Sequence, residues 1–249
     1  MTNVTFDIET LPDLREGAKE RFIEKSVANF KAPSTLTKTQ AATDLGLTDE
    51  KEIKFTSAGD MKLRWEREMA PKMAEEVGIE NWKKTSFDGG AGQIFSFAFK
   101  AHEQVYCFGG LDEKEVLLSL NTMLGECLSR SDGDIMQPYF IGHYISGFDL
   151  RFLYRRYVCN GIRPTFKIPH LGRHGKDYFD NQIAWCGFKD RISQDNLCKA
   201  LGIEGKPDDI DGSRVWAEVE AGNHQKVIDY NVDDILKAEM VYNKLNYIS

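Results

Sequence analysis

VTFDIETL, residues 4–11, alternates apolar and polar side chains: Val4, Phe6 and Ile8 against Thr5, Asp7 and Glu9. A period of two predicts a β-strand with one face buried. It also places Asp7 and Glu9 on the same face, with Cα atoms roughly 6.5–7 Å apart. Two carboxylates that close repel each other unless water or a cation lies between them. A solvated strand face would carry the same residues, so the pair alone does not choose between an exposed edge and a metal site.

Two later stretches bear on that choice. In the last helix, expected from His224 to Tyr247, the residues Val227, Tyr230, Asp234, Ala238, Val241 and Leu245 follow at intervals of three and four. They form one helical stripe, apolar apart from Asp234 and Tyr230. A carboxylate on an inward stripe is costly unless it is paired or binds a metal. The neighbouring stripe, Ile228, Val232, Ile235 and Tyr242, could be the buried one instead, and Asp229 and Asp233 also repeat at a helical interval, so the register stays open. The other stretch is HYISGFD, residues 143–149, after a short apolar strand at Tyr139–Ile141. Gly142 and Gly147 permit a tight turn into a helix, and Asp149 stands at the helix start, where the macrodipole favours a negative charge. His143 has no metal-type spacing and reads as a core or hinge histidine.

Bulk properties set the frame. The chain has 249 residues, of which 41% are hydrophobic, 29% charged and 11% aromatic. That suits one large α/β domain, or one carrying an insertion, and not a disordered chain. No apolar run of about 18 residues is present, so no membrane span is expected, and the start lacks the pattern of a signal peptide. Five dispersed cysteines without a C-x-x-C pair read as reduced cytoplasmic thiols. The net charge of −7 argues against tight, non-specific DNA binding, though not against an enzyme that holds a few nucleotides through a bound cation.

Along the chain, residues 14–90 are polar and rich in Lys, Glu and Thr, with helices expected at Arg15–Phe30 and at Met61–Val77, the latter interrupted by Pro71, and a loop at KAPSTLTKTQAATD. This region reads as a helical insertion or cap within a single domain spanning 1–249. Gln93–Lys100 and Val105–Gly110 are expected to pair as strands. Helices follow at Asp112–Leu128, after SGFD, at Ser193–Ala200 with Ser193 as N-cap, and at Gly212–Glu220. DYFDNQIAWCGF is ambiguous. Arg163, Lys167, Arg173, His174 and Lys176 form a basic loop that suits either phosphate contact or plain solvation. Arg155 and Arg156 read as a solvated helix face, and Phe148 and Trp185 as core.

In chain order, FDIET (6–10), GHYISGFDLRFL (142–153) and YNVDD (230–234) resemble the three motifs of the DEDD, or DnaQ-like, superfamily of 3′–5′ exonucleases. DIETLPDL and LGIEGKPDDIDGSRVW are similar to the group related to the proofreading domain of family B DNA polymerases, found in bacteria and phages. Tyr230, four residues before Asp234, resembles the tyrosine subclass. The resemblance implies a ribonuclease-H-like α/β fold, a mixed sheet flanked by helices with a helical insertion after the first strand. It implies two Mg²⁺ or Mn²⁺ ions held by Asp7, Glu9, Asp149 and Asp234, with Tyr230 orienting the attacking water and Asp7 bridging the ions. It implies substrate contacts near Thr10, Leu11, His143, Tyr144 and Phe148, where Tyr144 stands in place of the family's usual Asn. The substrate implied is single-stranded nucleic acid, DNA ahead of RNA, without a membrane, and a role in replication or repair would need a separate partner. The rival readings are the same chemistry on RNA, or a catalytically silent nucleic-acid-binding module.

Overall fold

The computed structural model describes residues 1–129, 135–169, 177–204 and 211–248. In chain order its elements are strand β1 (Thr2–Leu11); helices α1 (Ala18–Asn29), α2 (Lys38–Asp44), α3 (Glu50–Phe55) and α4 (Ala58–Lys83); strands β2 (Gln93–Ala101) and β3 (Gln104–Gly109); helix α5 (Glu113–Leu128); strand β4 (Pro138–Gly142); helix α6 (Asp149–Asn160); strand β5 (Tyr178–Asp180); and helices α7 (Asn181–Cys186), α8 (Gln194–Ala200), α9 (Val215–Glu220) and α10 (His224–Leu245). They form two compact units, Met1–Pro12 with Ser86–Ser249, and Asp13–Thr85. None of the described helices is long and apolar enough to cross a membrane.

The larger unit is built on one mixed sheet of order β3-β2-β1-β4-β5. β1 is antiparallel to β2 along Thr5–Leu11, with an irregularity between Glu9 and Thr10. On its other edge it is parallel to β4, but only along Thr2–Thr5. Beyond Thr5 that edge has no strand partner among the described residues, and this opening is where the candidate site forms. Val4, Phe6 and Ile8 bury their side chains against Phe97 and Phe99 of β2, Leu117, Leu120 and Leu124 of α5, and Leu150, Leu153 and Tyr157 of α6. The expectation of a single buried face is corrected: Thr5 and Leu11, on the same side as Asp7 and Glu9, are buried too, because β1 is the central strand and α10 packs on it with Val227, Ile235, Ala238 and Val241 buried.

The smaller unit is all helical. α4 runs through Pro71 and extends past Met61–Val77 at both ends. A buried stripe of Met61, Trp65, Ala70, Ala74, Gly78 and Trp82 holds it together, and burial of that stripe outweighs the hydrogen bond the proline removes. α1 begins later than expected, after Gly17 in a left-handed conformation at φ 67°. Part of KAPSTLTKTQAATD is helix rather than loop: Thr37 caps α2 by accepting from Gln40 N, and Ala41 and Ala42 are buried.

Other expectations are corrected as well. DYFDNQIAWCGF resolves into β5 and α7, with Asp180 ending the strand and capping the helix. Trp185 is exposed, not core. Arg156 is not on a solvated face: its Nε and Nη2 donate to Glu113 at 2.8 and 2.7 Å and its Nη1 to Gly89 O at 3.1 Å. Lys167 of the basic loop pairs with Asp177 at 3.1 Å, while Arg173, His174 and Lys176 lie outside the described residues.

Candidate metal centre

β1 presents Asp7 and Glu9 to α10, and α10 returns Asp234. One carboxylate oxygen from each of the three lies within 4.8 Å of the others. The register question in α10 is thereby answered. Asp234 is on the inward stripe, while Asp229 is exposed and accepts from Gln225, and Asp233 is half-buried and pairs with the buried Lys237.

Asn231 sits one turn before Asp234, fully buried. Its Nδ2 donates to Asp7 Oδ2 at 2.6 Å, and its Oδ1 lies 3.4 Å from Ser96 Oγ of β2. It fixes one oxygen of Asp7 beside the cluster. Sequence reading missed this residue, although its place three residues before Asp234 put it on the same helical face. Tyr230 is half-buried on that face. Burial, with Asp234, Glu9 and Asp7 around it, pushes its phenol well above the ordinary tyrosine range, and it hydrogen-bonds Asp234. The phenol therefore stays protonated and donates.

Asp149 is the first residue of α6 and is buried. Its Oδ1 accepts from Ile8 N at 3.3 Å, across the edge of β1 that β4 leaves open. Burial pushes its carboxyl up to about 8; hydrogen bonds from its own N–H and that of Ile8 oppose the rise, and the charges of Asp180 and Asp234 add to it. Asp149 is not one of the three mutually close acids. It lines a cleft of about 370 Å³ together with Asp7 and Glu9, a size suited to a small ligand or one end of a chain.

The turn from β4 to α6 shapes the rest of that cleft. Asp180, buried at the end of β5, accepts from Tyr144 N and Ser146 N at 3.1 Å each and from Ser146 Oγ at 2.7 Å. The same carboxylate caps α7 through Gln182 N and Ile183 N. So anchored, the turn holds Tyr144 in the left-handed region at φ 57°, and a side chain at Gly147 would come within 2.2 Å of the Tyr144 ring. Asp180 is the second residue that sequence reading missed, because its segment had no periodicity to read.

The remaining sequence-predicted residues divide. His143 lines the cleft, and its Nε2 donates to Ile192 O at 2.8 Å. Thr10 lines it and donates to Ser86 O at 2.8 Å. Tyr144 and Phe148 line it; Phe148 is half-buried and packs on Phe87 and on Phe152 at the margin of the main core, as expected of a core-packing ring. Leu11 is corrected: its side chain is fully buried, since the face it shares with Thr5 is covered, and it does not line the cleft.

Comparison with known proteins adds to this geometry. Residues 133–249 match the family described as "Predicted 3'-5' exonuclease related to the exonuclease domain of PolB". That span carries Asp149, Tyr230 and Asp234. The fold is similar to the family B DNA polymerase from the hyperthermophilic archaeon Pyrobaculum calidifontis, with a TM-score of 0.53 and 12% identity over 98% of this chain and 24% of the polymerase. The chain thus spans about a quarter of that protein's length. No curated protein matches it. The resemblance to the PolB-type exonuclease domain and the ribonuclease-H-like architecture, a mixed sheet flanked by helices, are both borne out.

Proposed function

We propose that this chain is a divalent-metal-dependent 3′–5′ exonuclease that hydrolyses phosphodiester bonds from the 3′ end of single-stranded DNA. The observation that carries the reading is the convergence of Asp7, Glu9 and Asp234 within 4.8 Å, with Asp149 on the same cleft. The match of residues 133–249 to a predicted exonuclease family supports it. The donors are all carboxylate oxygens, which suit hard cations such as Mg²⁺ or Mn²⁺. Asp7, Glu9 and Asp234 would hold one ion, and Asp149 with Asp7 a second.

Such ions supply an activated water and neutralise the charge that builds on the phosphate under attack. The chain's own residues do the rest. Asn231 holds Asp7 in one rotamer by its 2.6 Å hydrogen bond, so the acid is positioned before any ligand arrives. Tyr230, kept neutral by its surroundings, serves as a hydrogen-bonding group that orients water and not as a base. Tyr144 and Phe148 offer ring faces to a terminal base.

The test is 5′-labelled single-stranded DNA incubated with Mg²⁺, with Mn²⁺ and with chelator, beside Asp7→Ala and Asp234→Ala. A metal-dependent ladder that shortens from the 3′ end, absent from both variants, is the expected result. Turnover retained by either folded variant would remove that residue from the mechanism. DNA left intact while RNA is trimmed would move the substrate to RNA. Binding of both without cleavage would leave a silent binding module.

A further inference from the structure

A second cavity, of about 380 Å³, lies on the far side of Tyr144, and its wall includes Arg151, Tyr178, Phe188 and Arg191. Tyr144 and Arg191 also line the acidic cleft, so the two spaces share that wall. The Arg191 guanidinium lies over the Tyr144 ring, 5.3 Å from its centroid, with Nη2 3.5 Å from the phenol oxygen. Arg151 is steered from the other side, its Nε donating to Ser146 O at 2.9 Å.

Among the described residues neither guanidinium takes part in a carboxylate bridge. Among the described residues the cavity wall has one carboxylate, Asp190. Asp180, beneath the turn, is already occupied by the backbone donors of the turn and of α7. In a chain of net charge −7, two arginines left over beside a cluster of acids make a local place for an anion. A guanidinium stacked on an aromatic ring is held in position with its remaining N–H groups directed outward, the arrangement that suits a phosphate. Phe188 is exposed on the rim, as a ring that receives a base would be.

We propose that this cavity is a second nucleotide subsite, which takes the phosphodiester and base next to the linkage held at the carboxylates, with Arg191 and Arg151 on the phosphate. The inference rests on the exonuclease reading and extends it: the strand enters past Tyr144, and length dependence is set at Arg191. A substrate without a second nucleotide gains nothing from the subsite.

The experiment compares two substrates in wild type, Arg191→Ala and Arg191→Lys. One is a single-stranded pentanucleotide, and the other is the 4-nitrophenyl ester of thymidine 5′-monophosphate, which has no second phosphodiester. The ratio of kcat/KM for the pentanucleotide to that for the ester should fall roughly ten-fold in Arg191→Ala, mostly through KM, the size of one charge-assisted contact. Arg191→Lys should recover part of it. A neutral methylphosphonate at the second linkage should lower the wild-type ratio and erase the difference between wild type and Arg191→Ala. An unchanged ratio, or equal losses on both substrates, would overturn the subsite while leaving the exonuclease reading in place. If wild type hydrolyses neither substrate, that reading and the subsite fall together.

Discussion

Asp149→Asn separates the role of Asp149 in the fold from its role in holding a cation. In the metal-free protein its carboxyl is raised from 3.8 to about 8 by burial. The sign follows from proton counting. Between those values the folded protein keeps a proton that the unfolded chain has released, so stability is fullest below 3.8 and is lost as pH rises through the folded value. The slope is about 1.4 kcal/mol per pH unit, which gives a loss of about 3 kcal/mol between about pH 5 and about pH 7 and a ceiling near 6 kcal/mol. Asparagine has the shape of the protonated acid and still offers an oxygen to Ile8 N. The variant should therefore match wild type near pH 4 and lose this group's share of the pH dependence above it. Urea unfolding in chelator, at one-unit pH steps, reads both curves. Added Mg²⁺ should flatten the wild-type curve more than the variant's, since a cation favours the ionised acid at 149, while the variant keeps only the site at Asp7, Glu9 and Asp234. Parallel curves in chelator, or a wild type that gains stability relative to the variant as pH rises, would refute the buried neutral acid.

Other consequences are local to named contacts. Asn231→Ala removes the donor that fixes Asp7; Mg²⁺ affinity measured by calorimetry should fall roughly ten-fold or more, as for outer-shell partners of metal ligands elsewhere, and an unchanged affinity would show that Asp7 needs no such support. Glu113 accepts from Ile94 N, Arg156 and Asn160 in a nearly buried setting, so Glu113→Ala should cost about 3–5 kcal/mol in urea unfolding by stranding Arg156. A loss below about 1 kcal/mol would mean the pair is effectively solvated. In the helical unit a Cβ at Gly78 would lie 2.6 Å from Ile23 Cα, so Gly78→Ala should destabilise by about 1–3 kcal/mol. A gain in melting temperature would show that α1 can move aside at no cost.

What the sequence disclosed follows how local each feature is. The period of two in VTFDIETL and the three-and-four spacing in α10 are properties of single elements, and both Asp7–Glu9 and Asp234 could be read from them. Which stripe of α10 faces inward could not, because Ile235 and Val241 lie on different candidate faces and both are buried; only packing on β1 decides. Asp180 and Asn231 act through residues 34 or more positions away, and no window of sequence contains that pairing. The Pro71 break failed for the opposite reason. The local rule was sound, but burial along one side of α4 overrode it. Arg156 looked solvated because its partner Glu113 is 43 residues distant.

The position of the acids is itself a consequence of the sheet. β1 keeps its β2 partner to Leu11 but loses β4 after Thr5. From there on, the strand's amides on that edge need other acceptors, since an unmet buried N–H costs about 1–3 kcal/mol. Ile8 N finds Asp149, which can reach it because β4 ends at Gly142 and the chain turns at once into α6. A Cβ at Gly142 would meet Phe6 O at 2.9 Å, so the close approach requires glycine. The gap that opens the cleft is thus closed at its floor by one of the acids proposed to bind the cation. This is why Asp149→Ala is a poor probe of catalysis: it would remove the ionisable oxygen and strand a backbone donor together, whereas Asp149→Asn removes only the capacity to ionise.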